Sequence, residues 1–150
     1  MIIFLDIDGV LNTINYIYSS QLNGIVIEKA QIALLNKIMS TFNDANIVIT
    51  SSRRDDMDKL IYELFMCGFE YKKRIIDATE INGKKRGEQI QDYIGKNKIS
   101  SYIVVDDEVG GICGIDGKFI DSSLVFKIDP NLGLTIYDYE KIVLHMNKTG

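Results

Sequence analysis

The chain opens on four apolar residues, Ile2-Ile3-Phe4-Leu5, that run straight into Asp6-Ile7-Asp8-Gly9. An uninterrupted apolar run of this length, closed by a turn signal, reads as a strand buried on both faces. Such strands belong to parallel sheets covered by helices, so this one stretch restricts the fold more than any other. Asp6 ends the strand and Asp8 follows two residues on. Side chains two apart on an extended backbone point the same way, which brings both carboxylates to one spot. Gly9 then lets the chain turn through angles other residues avoid. Two carboxylates ~4 Å apart repel by about 4 kcal/mol at an effective dielectric of ~20, so the pair implies a cation or a shared proton. An aspartate at a strand end can equally do no more than cap a turn, and Asp-Gly is a common turn dipeptide. What decides between the two is whether later strands end in matching polar residues.

They do. Ile47-Val48-Ile49 runs into Thr50-Ser51-Ser52-Arg53-Arg54, and Tyr102-Ile103-Val104-Val105 runs into Asp106-Asp107-Glu108. Arg74 to Asp77 forms a third short strand, and Val125 to Ile128 a fifth, stopped by Asp129-Pro130. Helical spacing fills the intervals: Ala30, Leu34, Leu35, Ile38 and Phe42; then Met57, Leu60, Ile61, Leu64 and Phe65 before Gly68; then Ile90, Tyr93 and Ile94. Thr135 and Asp138 resemble a capping box opening a last helix, with Ile136, Tyr139, Val143 and Met146 inward. Strands alternating with helices predict an α/β fold, a three-layer Rossmann-like open parallel sheet with helices on both faces. Ligands in such sheets sit at the carboxyl ends of strands, where all three polar clusters fall.

Two hairpins are expected beside this frame. Thr13 to Tyr18 and Ile25 to Ile27 flank Asn23-Gly24, which predicts a β-hairpin flap after the first strand. Tyr16 and Tyr18 would lie on one side of it, stacking on a ligand or packing on the flap. Ile112 to Ile120 around Asp116-Gly117 reads as the second hairpin.

At 150 residues the chain is expected to be a single domain, 1–150. An apolar fraction of 46% and a charged fraction of 25% are those of an ordinary globular protein. A net charge of −4 argues against a broad clamp on nucleic-acid phosphates and leaves room for a local basic patch. Cys67 and Cys113 are too few and too far apart for a disulfide frame or a zinc site, and read as idle thiols in a reducing compartment. No stretch approaches the ~20 apolar residues of a membrane span. The apolar N-terminal run is too short for a signal peptide. The expected location is cytoplasmic, with no membrane partner. Gly110, Gly111, Gly114 and Gly117 match neither a dinucleotide fingerprint nor a Walker A loop, and the lone His145 reads as surface or helix-end decoration.

Around the acidic pair, two further groups carry alternatives. Ser51 or Ser52 can cap the following helix or hold an anion there, and the two roles are compatible. Lys84-Lys85-Arg86 is a solvated charge run or a source of a cation for a bound phosphate.

Taken together, Phe4 to Leu11, Ile47 to Arg53, Lys85-Arg86 and Val104 to Asp107 resemble the four motifs of the haloacid dehalogenase superfamily of phosphohydrolases. The resemblance spans essentially the whole chain. Thr50-Ser51-Ser52-Arg53, Arg86 to Ile90, Asp106-Asp107-Glu108 and Gly133-Leu134-Thr135 are most similar to small capless members found as phosphatase domains of RNA-repair proteins. The resemblance implies Asp6 as nucleophile and Asp8 as general acid and base. It implies Mg²⁺ held by Asp6, Asp106 and the Asp8 backbone carbonyl, with Asp107 ligating through water or orienting Asp106. Ser51, or Thr50 in its place, would hold a phosphate oxygen, and Arg86, with Lys85 as the substitute, would supply the cation. Asp8 favours phosphoryl transfer over carbon–halogen hydrolysis, because dehalogenases of the superfamily lack it. The motifs are separated by about one helix each, which leaves no room for a cap domain. The implied partner is a phosphorylated substrate: a small molecule, a nucleotide or a nucleic-acid end.

Other classes share parts of the pattern. A receiver domain needs an aspartate ending its third strand, which Asp77 can supply, and a late lysine, where this chain has Asp129-Pro130. A Toprim domain needs a glutamate on a strand before its DxD pair. A catalytically idle phosphate-binding or regulatory module on the same fold is the remaining alternative.

Overall fold

The computed structural model describes residues 1–20 and 26–149. Eleven elements follow one another: β1 (Ile2–Leu5), α1 (Ile14–Ser20), α2 (Lys29–Thr41), β2 (Asn46–Ile49), α3 (Met57–Met66), β3 (Ile75–Ala78), α4 (Arg86–Asn97), β4 (Tyr102–Asp106), α5 (Gly110–Cys113), β5 (Val125–Lys127) and α6 (Ile136–Thr149), with short 3₁₀ turns between some of them. The five strands make one parallel sheet in the order β3-β2-β1-β4-β5.

β1 lies at the centre because it is apolar on both faces. Ile3 and Leu5 join Ile47, Ile49, Ile103 and Val105 against α2, α3 and α6. Ile2 and Phe4 join Val48 and Val104 against Ile90 of α4 and Ile112 of α5. The period-2 alternation of three adjacent strands thus builds two cores and a three-layer α/β sandwich. Burying each such side chain contributes roughly 1.5–3 kcal/mol. No cap domain is inserted among the described residues.

Both expected hairpins are corrected. The segment read as the first strand of a flap is helix α1, and the Asn23-Gly24 turn lies outside the described residues. Thr13 explains the difference: its hydroxyl accepts from the Tyr16 N–H at 3.1 Å and its carbonyl from the Ile17 N–H at 3.0 Å. A local cap there outweighs the strand preference of Ile14, Tyr16, Ile17 and Tyr18. The Ile112–Ile120 stretch is not a hairpin either, but α5 followed by a 3₁₀ turn. Asp116 and Gly117 do take positive φ, +55° and +69°, as a tight hairpin turn requires, but the flanking residues pair with no strand.

Smaller expectations shift by a residue or two. α2 buries Gln31, Ile32, Leu35, Ile38 and Met39, while Ala30 is exposed. The capping box of α6 is present, Asp138 accepting from the Thr135 N–H at 2.9 Å and Thr135 from the Asp138 N–H at 3.3 Å.

Candidate active site

Register brings the polar strand ends together. Leu5 is level with Ile49 on one side and Val105 on the other, so the next residues, Thr50, Asp6 and Asp106, form one row across the sheet. Backbone bonds continue into that row, Asp6 N–H to Val105 carbonyl at 3.0 Å and Thr50 N–H to Leu5 carbonyl at 2.9 Å. β1 has β2 on one side and β4 on the other, so the row crosses the point where strand order reverses, the usual ligand crevice of an open parallel sheet.

Arg86, the first residue of α4, reaches this row from the helix layer. Its Nη1 lies 3.1 Å from Asp6 Oδ2 and 2.6 Å from Asp106 Oδ2. Gly87 fixes how closely α4 can approach: a Cβ there would run into the backbone carbonyl of Ile112 in α5. A cation at a helix N-terminus opposes the dipole, and the two carboxylates offset it. Asp106 is fully buried and its Oδ1 accepts from the Glu108 N–H at 2.9 Å. Burial, then the neighbouring Asp6 charge, pushes the Asp106 carboxyl up to about 7, against the pull of Arg86. Burial also raises Asp6, again opposed by Arg86.

Asp6, Asp106 and Asp107 each offer a carboxylate oxygen within 4.8 Å of the other two. Three hard oxygens at strand ends, partly buried, fit a Mg²⁺ ion, which binds few carboxylates and keeps several waters. Asp107 packs against Gly9, whose φ is +83° and where a Cβ would collide with the Asp107 carboxylate. Glycine is therefore needed at position 9 on two counts.

Asp8 stands apart from this trio. Its Oδ1 accepts from Asn12 Nδ2 at 2.9 Å, and its Oδ2 pairs with Arg53 Nε at 3.4 Å. Asn12, fully buried, also accepts the Gly9 N–H at 2.8 Å and donates to the Val26 carbonyl, so one side chain shapes the loop and aims the acid.

A cavity of about 560 Å³ opens over these groups. Asp6, Asp8, Asp107 and Glu108 line it together with Arg54, Lys84, Lys85 and Arg86, and Ser51 and Ser52 form its β2 side. Ser51 caps the 3₁₀ turn after β2, its Oγ accepting from the Arg53 N–H at 3.3 Å, and keeps its own hydroxyl hydrogen for another acceptor. Thr50 is fully buried beneath the cavity wall, and its Oγ1 has no hydrogen-bond partner among the described residues. Lys85 lines the cavity but pairs with no acid among the described residues; Arg86 alone bridges Asp6 and Asp106. Asp77 stays outside this cluster, which removes the receiver-domain arrangement.

No role for Arg54, Arg53 or Asn12 was read from the sequence. The Arg54 guanidinium donates to the carbonyls of Thr50, Ser51 and Thr79 at 2.7, 2.7 and 2.8 Å and to Gln89 Oε1 at 2.7 Å, tying the ends of β2 and β3 to α4. Burial, then the neighbouring Arg86 charge, lowers its pKa. The only hint in the sequence was a second arginine after the hydroxyl cluster.

No helix among the described residues is long and apolar enough to cross a membrane. Cys67 is half-buried and Cys113 buried, both as free thiols. A family model described as "HAD domain in Swiss Army Knife RNA repair proteins" matches residues 2–138. No curated protein and no solved structure matches the chain.

Proposed function

The chain belongs to the family of HAD domains in Swiss Army Knife RNA repair proteins, a phosphohydrolase-type family, and from that premise we propose that it is a Mg²⁺-dependent phosphatase. It hydrolyses a phosphate monoester, carried by a nucleotide or a nucleic-acid end, through an aspartyl-phosphate intermediate. The observation that carries this reading is the Arg86 guanidinium held between Asp6 and Asp106 at the crevice of the sheet.

Asp6 presents a carboxylate oxygen to phosphorus, the bond to the leaving oxygen breaks, and Asp8 gives that oxygen a proton. Asp8 then takes a proton from water, which attacks phosphorus and frees Asp6. Asn12 and Arg53 orient the Asp8 carboxyl group, each through one of its oxygens. Arg86 and the Ser51 hydroxyl meet the charge that builds on the transferring group, and removing such a donor commonly costs ~10²–10³ in kcat. Asp6, Asp106, Asp107 and the Asp8 backbone carbonyl would hold Mg²⁺, which when bound would supply positive charge for the phosphoryl oxygens and relieve the crowding of the carboxylates. Among the described residues no cap covers the cavity, which suits a bulky substrate. Two free thiols suit a reducing, cytoplasmic setting.

The test is release of phosphate from an aryl phosphate with and without Mg²⁺. Asp6→Asn lowers kcat by ~10³ or more if Asp6 is the nucleophile. A loss below tenfold, or activity indifferent to chelation, contradicts the reading.

A further inference from the structure

Beside the phosphate cavity lies a second one of about 440 Å³, a trench between β3 and α4. Its origin is visible in the packing. Ile90 and Ile94 of α4 face the sheet over β1 and β4, and the flank of the helix toward β3 carries Gln89, Asp92, Tyr93, Lys96 and Asn97, a stripe at helical spacing with no apolar residue but the tyrosine ring. The sheet edge answers it with a bulge. Ile47 pairs with Ile75 but Val48 with Asp77, so Ile76 is an extra residue and Asp77 is level with Val48, which faces α4. Bulges are uncommon in parallel pairs and re-aim side chains where they occur. Asp77 Oδ2 accordingly accepts from the Tyr93 hydroxyl at 3.1 Å. Burial, together with that bond, pushes the Tyr93 phenol up to about 12, so it remains a donor at any working pH.

Lys84 and Gln89 line both cavities, so the trench continues the phosphate site rather than standing apart from it. We infer that the trench between β3 and α4 seats the nucleoside of the leaving group while its phosphate lies over Asp6. This rests on the phosphatase reading of the neighbouring cavity and specifies its substrate.

The charges of the trench point to an uncharged occupant. Lys84 is paired with Asp92 at 2.6 Å and Lys96 with Glu80 at 2.9 Å, so both lysines of the lining are matched by acids, and Asp77 adds a further negative charge. The remaining groups hydrogen-bond without charge. Asn82 accepts from the Gln89 amide and the Lys84 N–H through its Oδ1, and its Nδ2 has no acceptor among the described residues. Carboxylates accept from ribose hydroxyls, the free Asn82 Nδ2 can donate to the edge of a base, and the Tyr93 ring offers an aromatic wall on which a base can stack. The volume lies within the range of small-molecule sites.

Two measurements test this independently. In the first, kcat/KM is compared for phenyl phosphate, a hexose phosphate and ribonucleoside 5′- and 3′-monophosphates, in wild type, Asp77→Asn and Tyr93→Phe. The variants are expected to lose about tenfold or more on a nucleotide and less than twofold on phenyl phosphate. Equal losses on phenyl phosphate overturn the subsite, and equal losses on the hexose phosphate overturn the nucleoside as its occupant. In the second, uridine and adenosine, which carry no phosphate, are titrated into the protein and followed by NMR. Wild type is expected to shift amides between Asp77 and Asn97, and Tyr93→Phe to weaken the effect. If neither nucleoside moves those amides the inference fails, whatever the outcome for hydrolysis. If phenyl phosphate is not hydrolysed while the nucleosides bind in the trench, the phosphatase reading fails and the subsite stands.

Discussion

Replacing Arg86 by glutamine removes the cation that bridges Asp6 and Asp106, and its consequences follow from the geometry. A single nitrogen sits 3.1 Å from one carboxylate and 2.6 Å from the other. Each contact is worth about 5–6 kcal/mol of attraction at an effective dielectric of ~20. Desolvation of the three groups offsets much of that, and stranding one side of a buried ion pair commonly costs about 3–5 kcal/mol. The carboxylates limit the loss by taking up protons. In wild type their pKa values are already raised, Asp106 from 3.8 to about 7. An acid raised in the folded state stabilises the fold below its unfolded pKa and loses that contribution as pH rises through the folded one. Without Arg86 both acids rise further, so the variant falls behind wild type as pH climbs through the wild-type Asp106 value of about 7. At pH 5 the two proteins should melt within a few degrees of each other. At pH 9, a deficit of ~3 kcal/mol corresponds to a fall in Tm of roughly 6–12 °C for a chain of this size. Calorimetry of both proteins in EDTA across that range is the assay, with phosphate release at saturating Mg²⁺ as a second readout, where kcat should fall by ~10²–10³. A deficit independent of pH would show that Arg86 does not compensate the two acids in the fold.

Two other outcomes are expected. Gly87→Ala places a methyl against the Ile112 carbonyl, so α4 must move away from α5 and carry Arg86 with it; a stability loss of ~1–3 kcal/mol should accompany a drop in kcat, and an unchanged kcat would separate α4 packing from the site. The rise in Tm produced by Mg²⁺ should grow between pH 6 and 8 as the Asp106 proton is lost, and a shift equal at both ends of that range would remove Asp106 from the ligand set.

The sheet and its acidic crevice were legible because their signals are local and redundant. Ile2 to Leu5 could hardly be anything but a doubly buried strand, and once β1, β2 and β4 are adjacent, register alone sets Asp6 beside Asp106. Arg86 was named by the resemblance, with Lys85 as its substitute, because the residues alone left Lys84-Lys85-Arg86 open between a solvated run and a phosphate cation. What escaped depends on contacts distant in sequence or on one dominant local bond. The Thr13 cap turned a strand-like segment into α1. Arg54 matters through carbonyls as far away as Thr79, which no spacing rule announces. The bulge at Ile76 shows only in the pairing of β2 with β3, so the sequence suggested a plain third strand where the structure has the floor of a trench.

The most direct test of the central claim is a crystal structure grown with Mg²⁺ and a beryllium fluoride species that mimics a phosphorylated aspartate. Beryllium is expected bonded to an Asp6 oxygen, with Arg86 and Ser51 on its fluorides and the metal touching Asp6 and Asp106. Beryllium on any other side chain, or a metal bound without Asp106, would contradict that claim.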